Sequence, residues 1–104
     1  MCVLVGCGSS AAVDAPKPTG SKAQDAQLLD GRQVFISNCA RCHGSHGQGG
    51  VGPALEHGHA RKRFPNPNDQ VKFVKSGFGI MPSFDGRLSQ TQINDVVRYT
   101  REVL

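Results

Sequence analysis

Apolar residues recur at helical spacing in the stretch from about Ala26 to Ala40. Intervals of three and four residues place its apolar positions on one face, which predicts a helix. That face is formed by Leu28, Gly31, Phe35, Cys39 and Cys42. Ser21 or Asp30 could cap its start. Gly31 costs a helix up to about 1 kcal/mol relative to alanine, so we expect a close packing contact at this position.

The strongest helix signal lies at the end of the sequence. Ser89 and Gln92 have the spacing of a capping box, and Leu88 with Ile93 has that of a hydrophobic staple. The apolar face that follows is formed by Ile93, Val96, Val97, Thr100, Val103 and Leu104. We expect this face to pack against the helix that contains Phe35.

The middle of the chain predicts one short helix between irregular segments. Asn68 could cap that helix, which would carry Val71 and Val74 on one side and end at Gly77. Five glycines fall within residues 44–52, and glycine and proline interrupt residues 78–84. Both of these segments are expected to be loops.

The N-terminal region differs in composition from the rest. Residues 8–25 are rich in Ser, Ala, Pro, Gly and Lys and show no apolar period, which predicts a disordered tether. A single domain is expected at residues 26–104. The whole chain has five Phe, one Tyr and no Trp. So little apolar material suggests that a bound group completes the core, and that the domain folds poorly without it.

The stretch Cys39-Ala40-Arg41-Cys42-His43 carries the strongest chemical signal in the sequence. Two thiols three positions apart, followed at once by a histidine, are what covalent haem attachment requires. On a helical turn Cys39 and Cys42 project from one face, so both sulfurs can add to the vinyl groups along one haem edge. His43 can then become the proximal iron ligand.

A Cys-x-x-Cys pair also occurs in thioredoxin-like proteins and in zinc sites. A thioredoxin motif begins a helix that follows a strand, but no β-branched apolar run precedes Cys39. A zinc site could recruit His46, His57 or His59 beside the thiolates, but only one such cysteine pair lies outside the N-terminal region. Haem attachment is therefore favoured over both.

The residues around this motif resemble those of a class I c-type cytochrome, from about Ala26 to Leu104. Gly31, Phe35 and Cys39 keep the family's four-residue intervals up to the first haem cysteine. Three later segments match in the same order: the Gly-Pro-x-Leu loop at Gly52-Pro53-Ala54-Leu55, the distal ligand segment at Met81-Pro82, and the C-terminal helix at Ile93–Tyr99.

This resemblance implies an all-α cytochrome c fold, with three main helices wrapped around one covalent haem c. It implies that His43 and Met81 ligate the iron, and that the carbonyl of Pro53 accepts a hydrogen bond from Nδ1 of His43. The implied function is one-electron transfer rather than catalysis. The alternative is a haem enzyme or gas sensor with an open distal site, where His57 or His59 could act.

The positive net charge of the chain favours a partner protein with an acidic surface. The formal net charge is +4, and Lys72, Lys75 and Arg87 flank the Met81 segment, so we expect them to steer a redox donor and acceptor with acidic docking surfaces. The basic residues are not interleaved with aromatic ones, so nucleic acid is not an expected partner.

The segment Leu4-Val5-Gly6-Cys7 resembles the lipobox of bacterial lipoprotein precursors, which implies lipid at Cys7. Upstream there is no basic n-region, and only Cys2–Val5 could serve as an apolar region. Either the start is truncated or the match is accidental. With Cys2 and Cys7 in this region and the other two cysteines assigned to haem, no disulfide is expected. The lipobox and the haem motif together predict a periplasmic or other extracytoplasmic location, with membrane attachment through Cys7.

Overall fold

The computed structural model describes residues 14–104 and is helical. Within that range five α-helices form: α1 at Ala26–Asn38, α2 at Ala40–His43, α3 at His59–Arg63, α4 at Pro67–Ser76 and α5 at Gln90–Glu102. The described residues contain no strand, only two isolated bridges, Phe78 with Met81 and Asp85 with Leu88. The all-α prediction with three main helices is confirmed, because α1, α4 and α5 are the longest elements.

The three main helices each begin at a polar cap. The side chain of Ser89 accepts from the backbone N–H of Gln92 at 3.1 Å, and the Gln92 side chain accepts from the Ser89 N–H at 2.9 Å, which is the predicted capping box. The other two caps differ from the prediction. Asp25 caps α1, and Asn66 caps α4 ahead of Pro67. Both have extended backbone, and a side-chain oxygen of each accepts from backbone N–H groups in the first turn of its helix.

Helices α1 and α5 cross at Gly31. A β-carbon built on Gly31 would collide with the backbone carbonyl of Asp95 and lie 2.9 Å from Cβ of Tyr99. Only glycine therefore allows the two backbones to approach so closely. Beside the crossing, the rings of Phe35 and Tyr99 pack with their centroids 5.4 Å apart, and both side chains are fully buried.

A second apolar cluster joins α4 and the segment after it to α5. Its buried members are Phe84, Ile93 and Val97. Val71, Val74, Met81 and Leu88 are partly buried against them. The backbone N–H of Phe84 also donates to the carbonyl of Val74 at 3.2 Å. These contacts hold the segment that contains Met81 against the helical core.

Residues 15–22, called the N-terminal strap below, pack against α1 and α5. The Tyr99 hydroxyl donates to the carbonyl of Pro16 at 2.6 Å, and Nε of Arg32 donates to that of Ala15 at 2.9 Å. Ala15 is buried, and Lys22 contacts the Glu102 carboxylate at 3.8 Å. The prediction of a disordered tether is therefore wrong for this segment. It lacks an apolar period because hydrogen bonds to its carbonyls and one buried residue, Ala15, hold it in place instead of a continuous hydrophobic face.

One ion-pair cluster links the start of α1 to α5. Arg98 contacts Asp25 at 3.1 Å and Glu102 at 2.6 Å. Asp95 lies nearby but is buried, and its Oδ1 has no hydrogen-bond partner. Burial, and then the neighbouring Asp30 carboxyl, raise the pKa of Asp95 to about 6.

None of the helices within residues 14–104 has the length and hydrophobicity needed to cross a bilayer. The predicted lipid site, Cys7, lies outside the described residues.

Candidate functional site

A cavity of about 1020 Å³ opens between the helices and the loops. Its walls come from α2, from the loop at residues 51–55, from α3 and α4, from residues 78–84 and from α5. All five residues predicted to hold haem line it: Cys39, Cys42, His43, Pro53 and Met81. The fold thus gathers residues that lie up to about forty positions apart in the sequence around one space.

The two cysteines lie on a tight helical turn at one wall. Cys39 ends α1 and caps α2, and its carbonyl accepts from the N–H of Cys42 at 3.2 Å and from that of His43 at 3.0 Å. This turn brings all three side chains to the same cavity. Burial, and then the neighbouring Cys42, raise the pKa of Cys39 to about 12, so this thiol is uncharged at neutral pH.

The imidazole of His43 is oriented by the loop that follows it. Its Nδ1 lies 2.8 Å from the carbonyl oxygen of Pro53. Since a carbonyl can only accept, Nδ1 carries a proton, and in the neutral imidazole Nε2 then keeps its lone pair. The loop is tied back to α2 by hydrogen bonds from Gly49 to the His43 carbonyl (2.7 Å) and from Gly52 to the Cys42 carbonyl (2.8 Å).

Gly52 lies directly against the His43 ring. A β-carbon there would be 2.8 Å from Cε1 of the imidazole. The position therefore needs glycine for close approach, which accounts for at least one of the glycines in this loop.

Met81 reaches the same cavity from a tight turn after α4. The backbone N–H groups of Phe78 and Met81 donate to each other's carbonyls at 3.1 and 3.0 Å. Gly77, with φ of 71°, ends α4 and starts this turn. Met81 is half-buried against the cluster of Phe84, Ile93 and Val97.

The lining of the cavity is mostly apolar, with positive charge at its border. Its cations are Arg41, Lys62 and Arg63, and no Asp or Glu is among its described lining residues. The guanidinium of Arg63 lies over the Phe64 ring at 5.2 Å and the Phe73 ring at 5.9 Å. An apolar group that carries carboxylates would match such a lining, and haem has this chemistry.

The other sequence candidates are less well placed. His57 is exposed and does not line the cavity, whereas His59 does, with its Nδ1 2.6 Å from the carbonyl of Glu56. Lys72, Lys75 and Arg87 are not among the lining residues. Sequence reasoning missed two buried polar residues that do line it, Gln70 and Thr100. Thr100 had been counted only as part of an apolar face, and nothing singled out Gln70.

The two rival interpretations of the cysteine pair find no support. Within residues 14–104, no three His, Cys, Asp or Glu side chains are grouped to hold a metal ion, as a zinc site would need. A helix rather than a strand precedes Cys39, so the thioredoxin arrangement is not present in this part of the chain.

Known proteins agree with this geometry. Residues 26–99 match the family model described as "Cytochrome C oxidase, cbb3-type, subunit III". A cytochrome c6 from a Synechococcus species is 37% identical over 76 residues, which cover 71% of this chain and 68% of the relative. The structure of cytochrome c6 from the diatom Phaeodactylum tricornutum superposes with a TM-score of 0.60 at 32% identity, covering 70% of this chain and 88% of that one.

A more distant structure shares the fold. Cytochrome cL from the methylotrophic bacterium Methylophaga aminisulfidivorans superposes with a TM-score of 0.63 at 21% identity. The match covers 77% of this chain but only 57% of that protein's length.

Fold and site together define a monohaem electron-transfer protein. The chain belongs to the class I c-type cytochromes and resembles the cytochromes c6 within them. It binds one covalent haem c and acts as an electron carrier, as the sequence predicted.

Proposed function

We propose that Cys39 and Cys42 hold the haem through two thioether bonds and that His43 and Met81 are its axial ligands. The observation that carries the proposal is that all four side chains line one cavity, with Nδ1 of His43 bound to the Pro53 carbonyl. That hydrogen bond leaves Nε2 free for iron. Each thiol would add its S–H across one vinyl group, so attachment needs no oxidant.

The function is one-electron shuttling between a donor and an acceptor. Bound haem would supply the Fe(III)/Fe(II) couple, and ligation by His43 and Met81 would give it a higher potential than two histidines would. The chain's own contribution is to keep the ligands rigid and the surroundings dry. The apolar wall formed by Val96, Val97 and Phe84 limits water access, which favours the less charged reduced state.

Haem staining after denaturing electrophoresis tests the covalent attachment. We expect haem to stay with the wild-type chain. Cys39→Ser and Cys42→Ser should each leave one bond and lower the yield of holo-protein, and His43→Ala should prevent stable assembly. Complete loss of haem from the denatured wild-type chain would contradict the proposal.

The ferric absorption spectrum tests the axial ligands. A weak long-wavelength sulfur-to-iron band is expected in the wild type and should be lost in Met81→Ala, with His57→Ala and His59→Ala as controls that keep it. If the band persists without Met81, the assignment is wrong. If the wild-type spectrum is instead typical of iron with two histidine ligands, and His59→Ala abolishes it, His59 is the distal ligand.

The competing class is a haem enzyme or gas sensor with an open distal position. One observation favours it, namely that His59 lines the cavity. Its Nδ1 is bound to the Glu56 carbonyl, however, and Met81 lines the same cavity. Carbon monoxide titration of the ferrous protein separates the two classes. An electron carrier with both axial positions filled should bind little at neutral pH, and ready binding would favour the open site.

We also propose that the redox partners present acidic docking surfaces. Two sets of cations are candidates for contact: the cavity-lining pair Lys62 and Arg63, and the pair Lys72 and Lys75 beyond the cavity. Cations at the cavity border would steer an acidic partner to the place where electrons leave. Long-range steering weakens with salt, since the Debye length is about 8 Å at physiological ionic strength.

Charge reversal compares the two sets. Lys62→Glu with Arg63→Glu should lower the second-order electron-transfer rate and its salt dependence more than Lys72→Glu with Lys75→Glu does. A larger effect of the Lys72 and Lys75 reversal would place the docking surface on α4, as the sequence suggested. A rate that is flat or rises with salt would contradict an acidic partner.

For location, we propose the extracytoplasmic side of a bacterial membrane, with lipid at Cys7 as the anchor. Two observations support this location. The segment Leu4-Val5-Gly6-Cys7 resembles a lipobox, and bacteria attach haem to a Cys-x-x-Cys-His motif after the chain has been exported. With a full upstream leader, Cys7→Ala should release the protein from membranes and Cys2→Ala should not. One acyl chain binds membranes only marginally, so more than one is expected. Continued membrane attachment of Cys7→Ala would rule out this anchor.

A further inference from the structure

Two buried polar side chains line the cavity but are not among the residues proposed to attach or ligate the haem. Among residues 14–104, four polar or charged side chains are buried: His43, Gln70, Asp95 and Thr100. His43 is explained by its proposed role at the iron, and Asp95 lies away from the cavity lining. Gln70 and Thr100 remain, and burying polar groups beside an apolar cofactor is costly unless they are hydrogen-bonded.

Gln70 is held in one orientation by its neighbours. Its Nε2 donates to Oγ1 of Thr100 at 2.8 Å, and that hydroxyl in turn donates to the carbonyl of Val97 at 2.8 Å. The hydroxyl proton is therefore already used, so Thr100 can only accept from Gln70. This fixes the amide so that its Oε1 faces the other way, where it accepts from Nη1 of Arg101 at 3.2 Å.

Arg101 is a half-buried cation whose hydrogen bonds within residues 14–104 all go to uncharged oxygens. Besides Gln70, it donates to the carbonyls of Phe64 (2.5 Å) and Pro65 (3.1 Å). No carboxylate of the described chain forms an ion pair with it, in contrast to Arg98, which is paired with both Asp25 and Glu102. Burial, and then the nearby Arg61, lower the pKa of Arg101, and the Glu102 carboxylate opposes this shift.

We propose that Gln70 is a positioning residue that holds the Arg101 guanidinium behind the cavity wall, and that this positive charge raises the reduction potential of the haem. The inference rests on the proposed electron-carrier function. Reduction of a bound haem would lower the positive charge in the cavity by one unit, so a fixed cation nearby would stabilise the reduced form relative to the oxidised form. Because the guanidinium is half-buried, salt should screen this effect less than it screens an exposed lysine.

Redox titration of the holo-protein measures the effect. Arg101→Gln should lower the potential, corresponding to a several-fold smaller equilibrium constant for reduction by a fixed donor. Lys22→Gln removes the same charge from an ion pair with Glu102 outside the cavity lining, and should leave the potential near the wild-type value. Arg101→Lys keeps the charge and should restore most of the loss.

A double-mutant cycle tests whether Gln70 acts through Arg101. Gln70→Asn keeps an amide in the cavity but is one carbon too short to bridge both partners, so it should also lower the potential. If the mechanism is right, the variant that carries Gln70→Asn and Arg101→Gln has the same potential as Arg101→Gln alone. Shifts that simply add would show that Gln70 acts independently and would overturn its positioning role.

The ferric spectrum separates this inference from the proposed function. If the wild type and the variants share the sulfur-to-iron band and Arg101→Gln shifts the potential no more than Lys22→Gln, the inference is wrong while the electron carrier stands. If the wild type lacks that band, the proposed ligand set fails instead, and the potentials of the Arg101 variants still decide whether the charge acts on the haem.

Discussion

Gly31 lies directly against the backbone carbonyl of Asp95 where α1 crosses α5, and no other residue type would fit there. The crossing matters for function because each helix carries part of the cavity wall: α1 ends at Cys39, and α5 contributes Val96, Val97 and Thr100. A change in their separation would alter the space for the haem.

Gly31→Ala should therefore destabilise the holo-protein even though alanine is the better helix former. Overpacking typically costs about 1–3 kcal/mol, which exceeds the gain of up to about 1 kcal/mol in helix propensity. A fall of several degrees in the thermal midpoint is expected. Gln33→Ala, at an exposed position of the same helix, is the matched control and should change little. A Gly31→Ala variant as stable as this control would mean that the helices can separate without cost.

Gly52→Ala should disturb the histidine ligand rather than the fold. The new methyl group would lie 2.8 Å from Cε1 of His43, so the ring must turn or the loop must move. We expect a lower yield of holo-protein and a changed ferric spectrum at little cost in helix content by circular dichroism. Gly50→Ala is the control, because its β-carbon would meet only the Cys42 carbonyl, at 3.3 Å. Equal spectra for the two variants would refute this role of Gly52.

The raised pKa of Asp95 predicts how the free energy of unfolding depends on pH. Its pKa is raised to about 6 from an ordinary value of 3.8, so the folded state binds this proton more tightly than the unfolded state does. The resulting stabilisation is present below about pH 4 and is lost as the pH rises through 6. Asp25 and Glu102 have the opposite sign: hydrogen bonds from Arg98 lower the pKa of each, so their contribution is lost as the pH falls.

Asp95→Asn isolates the first effect, since asparagine has nearly the same shape and no charge. Below pH 4 the variant and the wild type should have similar free energies of unfolding. Above pH 6 the variant should be the more stable, by about 3 kcal/mol at most. Chemical unfolding across this pH range is the measurement, and a constant difference between the two proteins would contradict the shifted pKa.

The N-terminal strap should stabilise the domain through Tyr99. Tyr99→Phe keeps the ring packing on Phe35 but removes the hydrogen bond to the Pro16 carbonyl, which is expected to cost about 1 kcal/mol. Burial also raises the pKa of Tyr99 to about 12, so the wild type should lose stability as the pH rises above 10, and the Phe variant should lose less. Unfolding curves at neutral and alkaline pH test both points, and identical curves would show that the strap contact carries no stability.

The sequence by itself determined the helical fold and the haem motif, because these depend on local periodicity and on spacing within a few residues. It determined the family because several such short motifs follow one another in the family's order. The capping box at Ser89 and Gln92 and the turn from Cys39 to His43 are contacts between residues at most four positions apart. Local backbone geometry alone is enough to bring such residues together. The hydrogen bond from His43 to Pro53 was expected only through the family resemblance, and the structure contains it at 2.8 Å.

Only the tertiary structure decided which distant residues meet. The strap folds back onto Tyr99 from more than eighty positions away, Gln70 reaches Thr100 across thirty, and the cations that border the cavity come from α2 and α3 rather than from α4. None of these contacts leaves a periodic signal, because each is a single hydrogen bond or a single charge at the end of a side chain. Such groups find partners only after the apolar faces of α1, α4 and α5 have packed and set the distances between them.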